Sequence, residues 1–393
     1  MNDMLNRAVA LKDEVLKHRR CIHQFAEVGF DLPQTVEYVE KTLISYGYQP
    51  SRLGRAGVVA TVGRPGKTIL LRADMDALPM EEESGLPFAA KNGNCHSCGH
   101  DCHAAMLLGA AKLLKEREDE LEGTVKLMFQ PAEELLSGAK EMIEAGLLQN
   151  PAVDAAFALH VMPGFPYSDT GTLNYNLANV TNSGDAIRIT IQGKDSHGSQ
   201  SYLGVDAIHV AAHLVLALEE IVAREVNSQD DIVLLVGKIE GGTTCNSVAG
   251  TASLEVSVRT NGAQQRAYVL TRVDEVARAV AETYRARADV EHMYGSPALI
   301  NDRELTQELV GYLEELLPEG TVRKMGLMGG GEDFTMVAEQ VPTTFMVLGA
   351  GSPGEGYPLA VHNPATCFNE AALPVGTAAL AYGAVRWLKT HSV

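Results

Sequence analysis

Strand-like and helix-like stretches alternate along this chain, and the alternation breaks once, between about Ser183 and Pro297, before it resumes. Ahead of the break the spacing predicts a helix to about residue 25. A second follows over 34–46, with Val36, Val39, Leu43 and Ile44 on one face. Strands 57–63 and 68–74 come next, split by Arg64-Pro65-Gly66-Lys67, and the second is almost wholly apolar, as a strand covered on both faces must be. Helix 102–118, strand 124–130, helix 133–146 and strand 155–161 continue the series. Such a series implies a largely parallel sheet covered by helices. Inside the break the order is strand 185–193, helix 204–224, strands 232–238 and 251–259, helix 262–284 and strand 287–294, a two-layer βαββαβ unit. Helix 303–316, strand 343–349 and helix 373–390 restore the first style. The simplest arrangement is a discontinuous α/β domain, 1–182 and 296–393, with a small domain inserted over 183–295. A length of 393 residues fits two domains.

Charge narrows the function. Fifty acidic residues stand against 32 basic ones, a net charge of −18. A nucleic-acid surface needs a basic stripe to replace counterions, so that class is excluded. The excess suits a protein that repels its copies and anionic membranes. No apolar run approaches the ~20 residues that span a bilayer. The first 20 residues scatter their charges and lack the order of a signal peptide, so a cytoplasmic protein is expected. Three of the six cysteines, Cys95, Cys98 and Cys102, fall beside His96, His100 and His103. In such a compartment that cluster points to metal or catalysis before disulfides.

The cluster Cys95–His103 follows a polar loop and opens a helix. Thiolate, imidazole and carboxylate together suit zinc, manganese, nickel or cobalt. A closed zinc-finger site would need a second C-x-x-C pair, which is missing. Glu133 and Glu134 stand side by side after the strand 124–130 and point in different directions, so one can bind metal while the other faces substrate. His160 and His362 each follow a strand into its exit, where α/β sheets place their sites. Taken singly, each of these has an ordinary structural reading. The Gly-Lys-Thr at 66–68 is not a phosphate loop: position 61 is Thr, and the segment enters a strand rather than a helix.

With these residues in view, the sequence resembles the aminoacylase/hippurate hydrolase family of co-catalytic metallopeptidases, in the branch of indole-acetyl-amino-acid hydrolases and bacterial N-acyl-amino-acid deacetylases. The matching stretches are RADMDALPM (72–80), CGHDCHAAMLLGAA (98–111), FQPAEE (129–134), ALHV (158–161), GKDSHGS (193–199), Asn246, GEDF (331–334) and HNPATCFNEAAL (362–373). The resemblance implies a zinc-peptidase-like catalytic domain with an inserted lid and dimerisation domain. It implies two divalent ions (Zn, Mn, Ni or Co) held by Cys98, His100, Glu134, His160 and His362, with Cys98 between them. Glu133 matches the general base, His197 a residue that polarises the scissile carbonyl, and Asn246 and Arg259 substrate-binding residues of the lid. The implied substrate is an N-acyl amino acid or a small peptide, and the implied assembly a homodimer. Asp74, Asp76, Asp101 and His103 are expected to support the ligands, with Glu332 and Asp333 doing so beside His362.

Departures from the family pattern cluster near the expected substrate pocket. Leu135-Leu136-Ser137 replaces a glycine run, Gly198-Ser199-Gln200-Ser201-Tyr202 replaces Ala-Ala-x-Pro-His, and Cys245-Asn246-Ser247-Val248-Ala249 replaces Asn-Val-Ile-Pro. Two rival readings stay open: a dipeptidase or aminopeptidase on the same scaffold, and a non-catalytic metal- or redox-binding protein.

Overall fold

The computed structural model describes residues 3–392, which gather into two units. One comprises the chain to Val180 with Ile300–Leu327 and the stretch from Asp333 on; the other comprises Thr181–Leu299 with Met328–Glu332. Among the described residues no helix is long and apolar enough to cross a membrane.

The first unit opens with α1 (Asp3–Ala10) and α2 (Lys12–Phe25), where one continuous helix was expected. The break falls at Leu11, whose N–H is shared between the carbonyls of Arg7 and Ala8, both at 3.1 Å. The tightened turn lets Met4, Leu5 and Ala8 join Val15, Leu16 and Ile22 in one core. Helix α3 (Pro33–Ser45) begins on a proline, which suits a first turn whose N–H groups are unused.

Strands β1 (Ser51–Leu53), β2 (Gly57–Gly63) and β3 (Thr68–Asp74) lead to α4 (His100–Glu116). Then come β4 (Thr124–Gln130), α5 (Gly138–Glu144), β5 (Ala155–Met162) and β6 (Leu173–Tyr175). After the second unit the chain adds α8 (Arg303–Leu316), β13 (Val322–Lys324), α9 (Thr335–Ala338), β14 (Thr343–Gly349) and α10 (Leu373–Thr390). The eight strands form one sheet in the order β1-β2-β4-β3-β5-β14-β6-β13. Its centre is parallel: β4, β3, β5 and β14 run together, with Asp74 opposite Gln130 and His160 opposite Val347. Strands β3, β5 and β14 are buried along their whole length, as the apolar runs required. Their carboxyl ends open on one edge, and the loops leaving that edge carry the candidate site.

The second unit is an antiparallel sheet in the order β12-β7-β11-β9. It uses β7 (Gly184–Gln192), β9 (Val233–Gly241), β11 (Thr251–Arg259) and β12 (Arg287–Ser296). Burial alternates along β7 and β11, so Ile187, Ile189, Leu254 and Val256 face α6 (Ala207–Glu220) and α7 (Ala263–Thr283) through Leu214, Leu218, Val269 and Val273. The helix expected to reach 224 gives way at Ile221 to one π-helical turn. A two-residue pair, β8 (Ser196–His197) and β10 (Ser247–Val248), stands apart from the sheet.

Candidate metal and catalytic centre

Cys98 and His100 flank a glycine that only glycine can be. Gly99 has φ +84°, and a Cβ there would lie 2.4 Å from Val161 and 2.9 Å from the Phe368 ring. The turn therefore packs tightly on the end of β5 and sends the thiol and the imidazole to the same place. The loop before it is pinned by two backbone bonds between Leu78 and Cys95, at 2.9 and 3.0 Å. Cys95 is thus a buried anchor and belongs to no ligand group among the described residues.

The five residues named from the resemblance come together. Ligand atoms of Cys98, His100 and His160 lie within 4.8 Å of one another, and so do those of Cys98, Glu134 and His362. The Cys98 sulfur belongs to both triads. His160 Nε2 is 3.5 Å from that sulfur, and His362 Nε2 is 3.3 Å from Glu134 Oε1. The tautomers are fixed from behind: His160 Nδ1 donates to the Val161 carbonyl at 2.7 Å, which leaves Nε2 bare toward the thiol. His100 faces Asp76 with Nδ1 at 3.4 Å and the Glu133 and Glu134 carboxylates with Nε2 at 3.8 and 3.9 Å.

The donor set asks for cations. His100 Nε2 is buried without a hydrogen-bond partner. Burial pushes the Cys98 thiol far up, and the neighbouring Glu134, Glu133 and Asp74 carboxylates push it further. Burial opposes charge on His100, yet Asp74, Asp76 and Glu134 hold it at about 10. A divalent ion would reverse both effects, because it stabilises the thiolate and displaces the imidazole proton. The residues therefore fit a pair of divalent metals.

Glu133 and Glu134 do not open a helix. They sit in a turn three residues past β4, and α5 begins only at Gly138. Ala132 and Leu136 take left-handed φ values of 52° and 50°, a strain that a helix over 133–146 would have avoided. Asp76 stabilises the turn: its two oxygens accept the Glu133 and Glu134 backbone N–H groups at 3.1 and 3.2 Å. One carboxylate thus positions the second acidic pair and backs His100.

The remaining supporting residues divide. His103 donates from Nδ1 to Asp74 at 2.5 Å and accepts the Val161 N–H on Nε2 at 2.8 Å, so it has no lone pair left for a metal. Asp74 also pairs with the buried Arg72 at 2.7 Å. Asp333, expected beside His362, is instead held by Gln130 Nε2 at 2.5 Å and the Ala139 N–H at 2.9 Å, because the start of α5 and the end of β4 need that acceptor. Asp101 accepts from Arg19 at 3.0 Å and from His23 at 2.9 Å, and His23 reaches Glu82 at 3.0 Å with its other nitrogen. Sequence reasoning missed Arg19, His23, Arg72 and Gln130. The available signal was the i,i+4 spacing of Arg19 and His23 on the apolar face of α2 with Val15 and Ile22.

In the second unit, His197 is exposed on β8 opposite Ser247, and the Asn246 carbonyl accepts the Gly198 N–H at 2.8 Å, so His197 and Asn246 share one two-stranded turn. Arg259 ends β11 and lays its guanidinium across Gly184, where a Cβ would stand 2.6 Å from Nη1.

The chain is similar to known proteins in sequence and fold. The model of peptidase family M20/M25/M40 matches residues 70–385. An N-acetyl-L-cysteine deacetylase of Bacillus subtilis is 35% identical over 370 residues, covering 92% of this chain and 85% of the relative. An IAA-amino acid hydrolase of Arabidopsis thaliana is 34% identical over 389 residues, covering 96% of this chain and 86% of the relative. The crystal structure of a dinuclear metal-binding M20 peptidase from Bacillus subtilis superposes with a TM-score of 0.83 at 31% identity, covering 97% of this chain and 99% of that one.

Proposed function

The chain belongs to peptidase family M20/M25/M40, and from that premise we propose that it is a metal-dependent amidohydrolase that splits N-acyl amino acids into a carboxylic acid and an amino acid. Two relatives carry such activities in their names, N-acetyl-L-cysteine deacetylase and IAA-amino acid hydrolase. The observation that carries the reading is the sharing of one sulfur, Cys98 Sγ, by two ligand triads. Cys98, His100 and His160 would hold one divalent ion, and Cys98, Glu134 and His362 the other. When bound, such a pair would supply Lewis-acid charge and lower the pKa of a bound water from 15.7 toward ~7.

The protein residues do the rest. Glu133, buried beside the ligands, takes the proton of the attacking water and later hands it to the leaving amine, so one carboxylate serves as base and then acid. Asp76 fixes its backbone for both steps. His197 donates a hydrogen bond to the developing oxyanion. Asn246 and Arg259 bind the substrate, the Arg259 guanidinium donating to the substrate's carboxylate. The inserted unit acts as lid and dimerisation domain, and a homodimer is supported by β9, a sheet-edge strand exposing Val233, Leu235 and Ile239. Six unpaired cysteines support a reducing, cytoplasmic setting.

The test is a panel of N-acetyl, N-benzoyl and indole-acetyl amino acids beside dipeptides, assayed on protein reconstituted with Zn²⁺, Mn²⁺, Ni²⁺ or Co²⁺, with metal content measured in parallel. Turnover of blocked amino acids that needs added metal supports the reading. Turnover only of substrates with a free α-amine makes the chain a dipeptidase or aminopeptidase. No turnover at full metal loading makes it a metal-binding protein without this activity.

A further inference from the structure

We propose that Ser199 is a positioning residue that holds His197 in the tautomer with its proton on Nε2. The proposal rests on the reading of His197 as the group that polarises the scissile carbonyl. Two donors converge on one ring nitrogen: the Ser199 backbone N–H lies 3.2 Å from His197 Nδ1, and the Ser199 hydroxyl lies 2.8 Å from it. A backbone N–H can only donate, so Nδ1 offers its lone pair and the ring proton sits on Nε2. The hydroxyl, which can turn either way, then donates as well.

The ring cannot easily leave this arrangement, because its backbone is held on both sides. His197 pairs with Ser247, the Gly198 N–H reaches the Asn246 carbonyl at 2.8 Å, and Asp195 Oδ1 accepts the Gly250 N–H at 2.8 Å. A Cβ on Gly198 would lie 2.7 Å from the Asn246 carbonyl oxygen, so the close approach requires glycine there. His197 is exposed, and its Nε2 has no partner among the described residues.

The consequence for catalysis is one of sign. Charge builds on the carbonyl oxygen as the amide is attacked, and the imidazole can stabilise that charge only with an N–H aimed at it. The other tautomer would present a lone pair to the same oxygen. Ser199 thus ensures that the exposed nitrogen is a donor, while the proton itself stays on the ring throughout. At this position the family pattern has Ala, which offers the backbone donor and no hydroxyl, so the second bond is a feature of this chain.

The experiment is ¹⁵N NMR of histidine-labelled, Zn²⁺-loaded full-length protein, with the His197 signals assigned by their loss in His197→Gln. Wild type is expected to give an unprotonated Nδ1 and a protonated Nε2. Ser199→Ala keeps only the longer backbone bond, so it should populate the second tautomer and lose about tenfold in kcat with little change in KM, and Ser199→Thr should restore both. A protonated Nδ1 in wild type, or wild-type tautomer and kcat in Ser199→Ala, overturns the proposal. His197→Ala separates the two levels: normal turnover in that variant removes the polarising role on which the proposal rests, whereas slow turnover with an unaffected Ser199→Ala removes Ser199 alone.

Discussion

His160 Nδ1 lies 2.7 Å from the Val161 carbonyl oxygen, and that bond settles which nitrogen meets Cys98. The backbone of β5 acts as the outer support that metal-binding imidazoles usually find in a carboxylate or carbonyl. With Nε2 left bare at 3.5 Å from the sulfur, His160 serves the first triad and has no part in the second.

Ligand removal should therefore be selective. His160→Asn is expected to leave about one ion per chain, and so is His362→Asn, because each belongs to a single triad. Cys98→Ala belongs to both and should leave less than one. Metal analysis after gel filtration against a weak chelator reads the three values, and equal loss in all three variants would mean that the triads do not act as separate sites.

Glu133→Gln should keep both ions and the fold while kcat falls by roughly 10²–10⁴, the usual share of a general base. The amide retains the shape and still leaves the Glu133 N–H bonded to Asp76. Near-normal turnover would remove Glu133 from proton transfer.

The framework of this site was legible in the sequence because its residues lie at strand exits or in a dense cluster, and a parallel sheet brings such exits to one edge. The apolar run 343–349 and the helices 303–316 and 373–390 appear with the expected bounds. The helix expected over 133–146 was misjudged because periodicity cannot register a turn stabilised from a distance, and here Asp76 supplies that turn's hydrogen bonds from another strand exit. The partners of the buried charges Arg19, His23 and Arg72 were illegible for a similar reason: Asp101, Glu82 and Asp74 are brought to them by tertiary packing.

Behind the ligands, Asp101 is the shared acceptor of two buried cations, Arg19 and His23. Asp101→Ala should cost roughly 3–5 kcal/mol in unfolding free energy, since it strands the Arg19 guanidinium against the Phe88 and Phe368 rings. Chemical denaturation of the metal-loaded protein measures it; a loss below about 1 kcal/mol would show that Glu370, 3.1 Å from Arg19, suffices alone.

Two buried histidines should shape stability against pH in opposite directions. Burial opposes charge on His23, but Asp101 and Glu82 outweigh it and hold the ring at about 9, above the ordinary 6.5. Its contribution, on the order of 3 kcal/mol, is complete below pH 6.5 and fades as pH rises toward about 9. Burial instead pushes His18, bonded to the Tyr38 and Tyr46 hydroxyls, down to about 4. Its folded form refuses a proton that the unfolded chain accepts, so stability is complete above pH 6.5 and falls as pH drops toward about 4. Unfolding midpoints between pH 4 and pH 9.5 should show His23→Gln flattening the alkaline limb and His18→Gln the acid limb. Parallel curves for wild type and variants would contradict both assignments.

The central claim is that one sulfur joins two ions, and X-ray absorption at the zinc edge of the Zn²⁺-loaded protein addresses it most directly. At two zinc ions per chain, the account predicts a sulfur scatterer at about 2.3 Å for every zinc, though each chain supplies a single ligating thiolate, Cys98, and a zinc–zinc vector at about 3.5–4 Å. A first shell in which only half the zinc has sulfur, or the absence of the metal–metal vector at full loading, would contradict it.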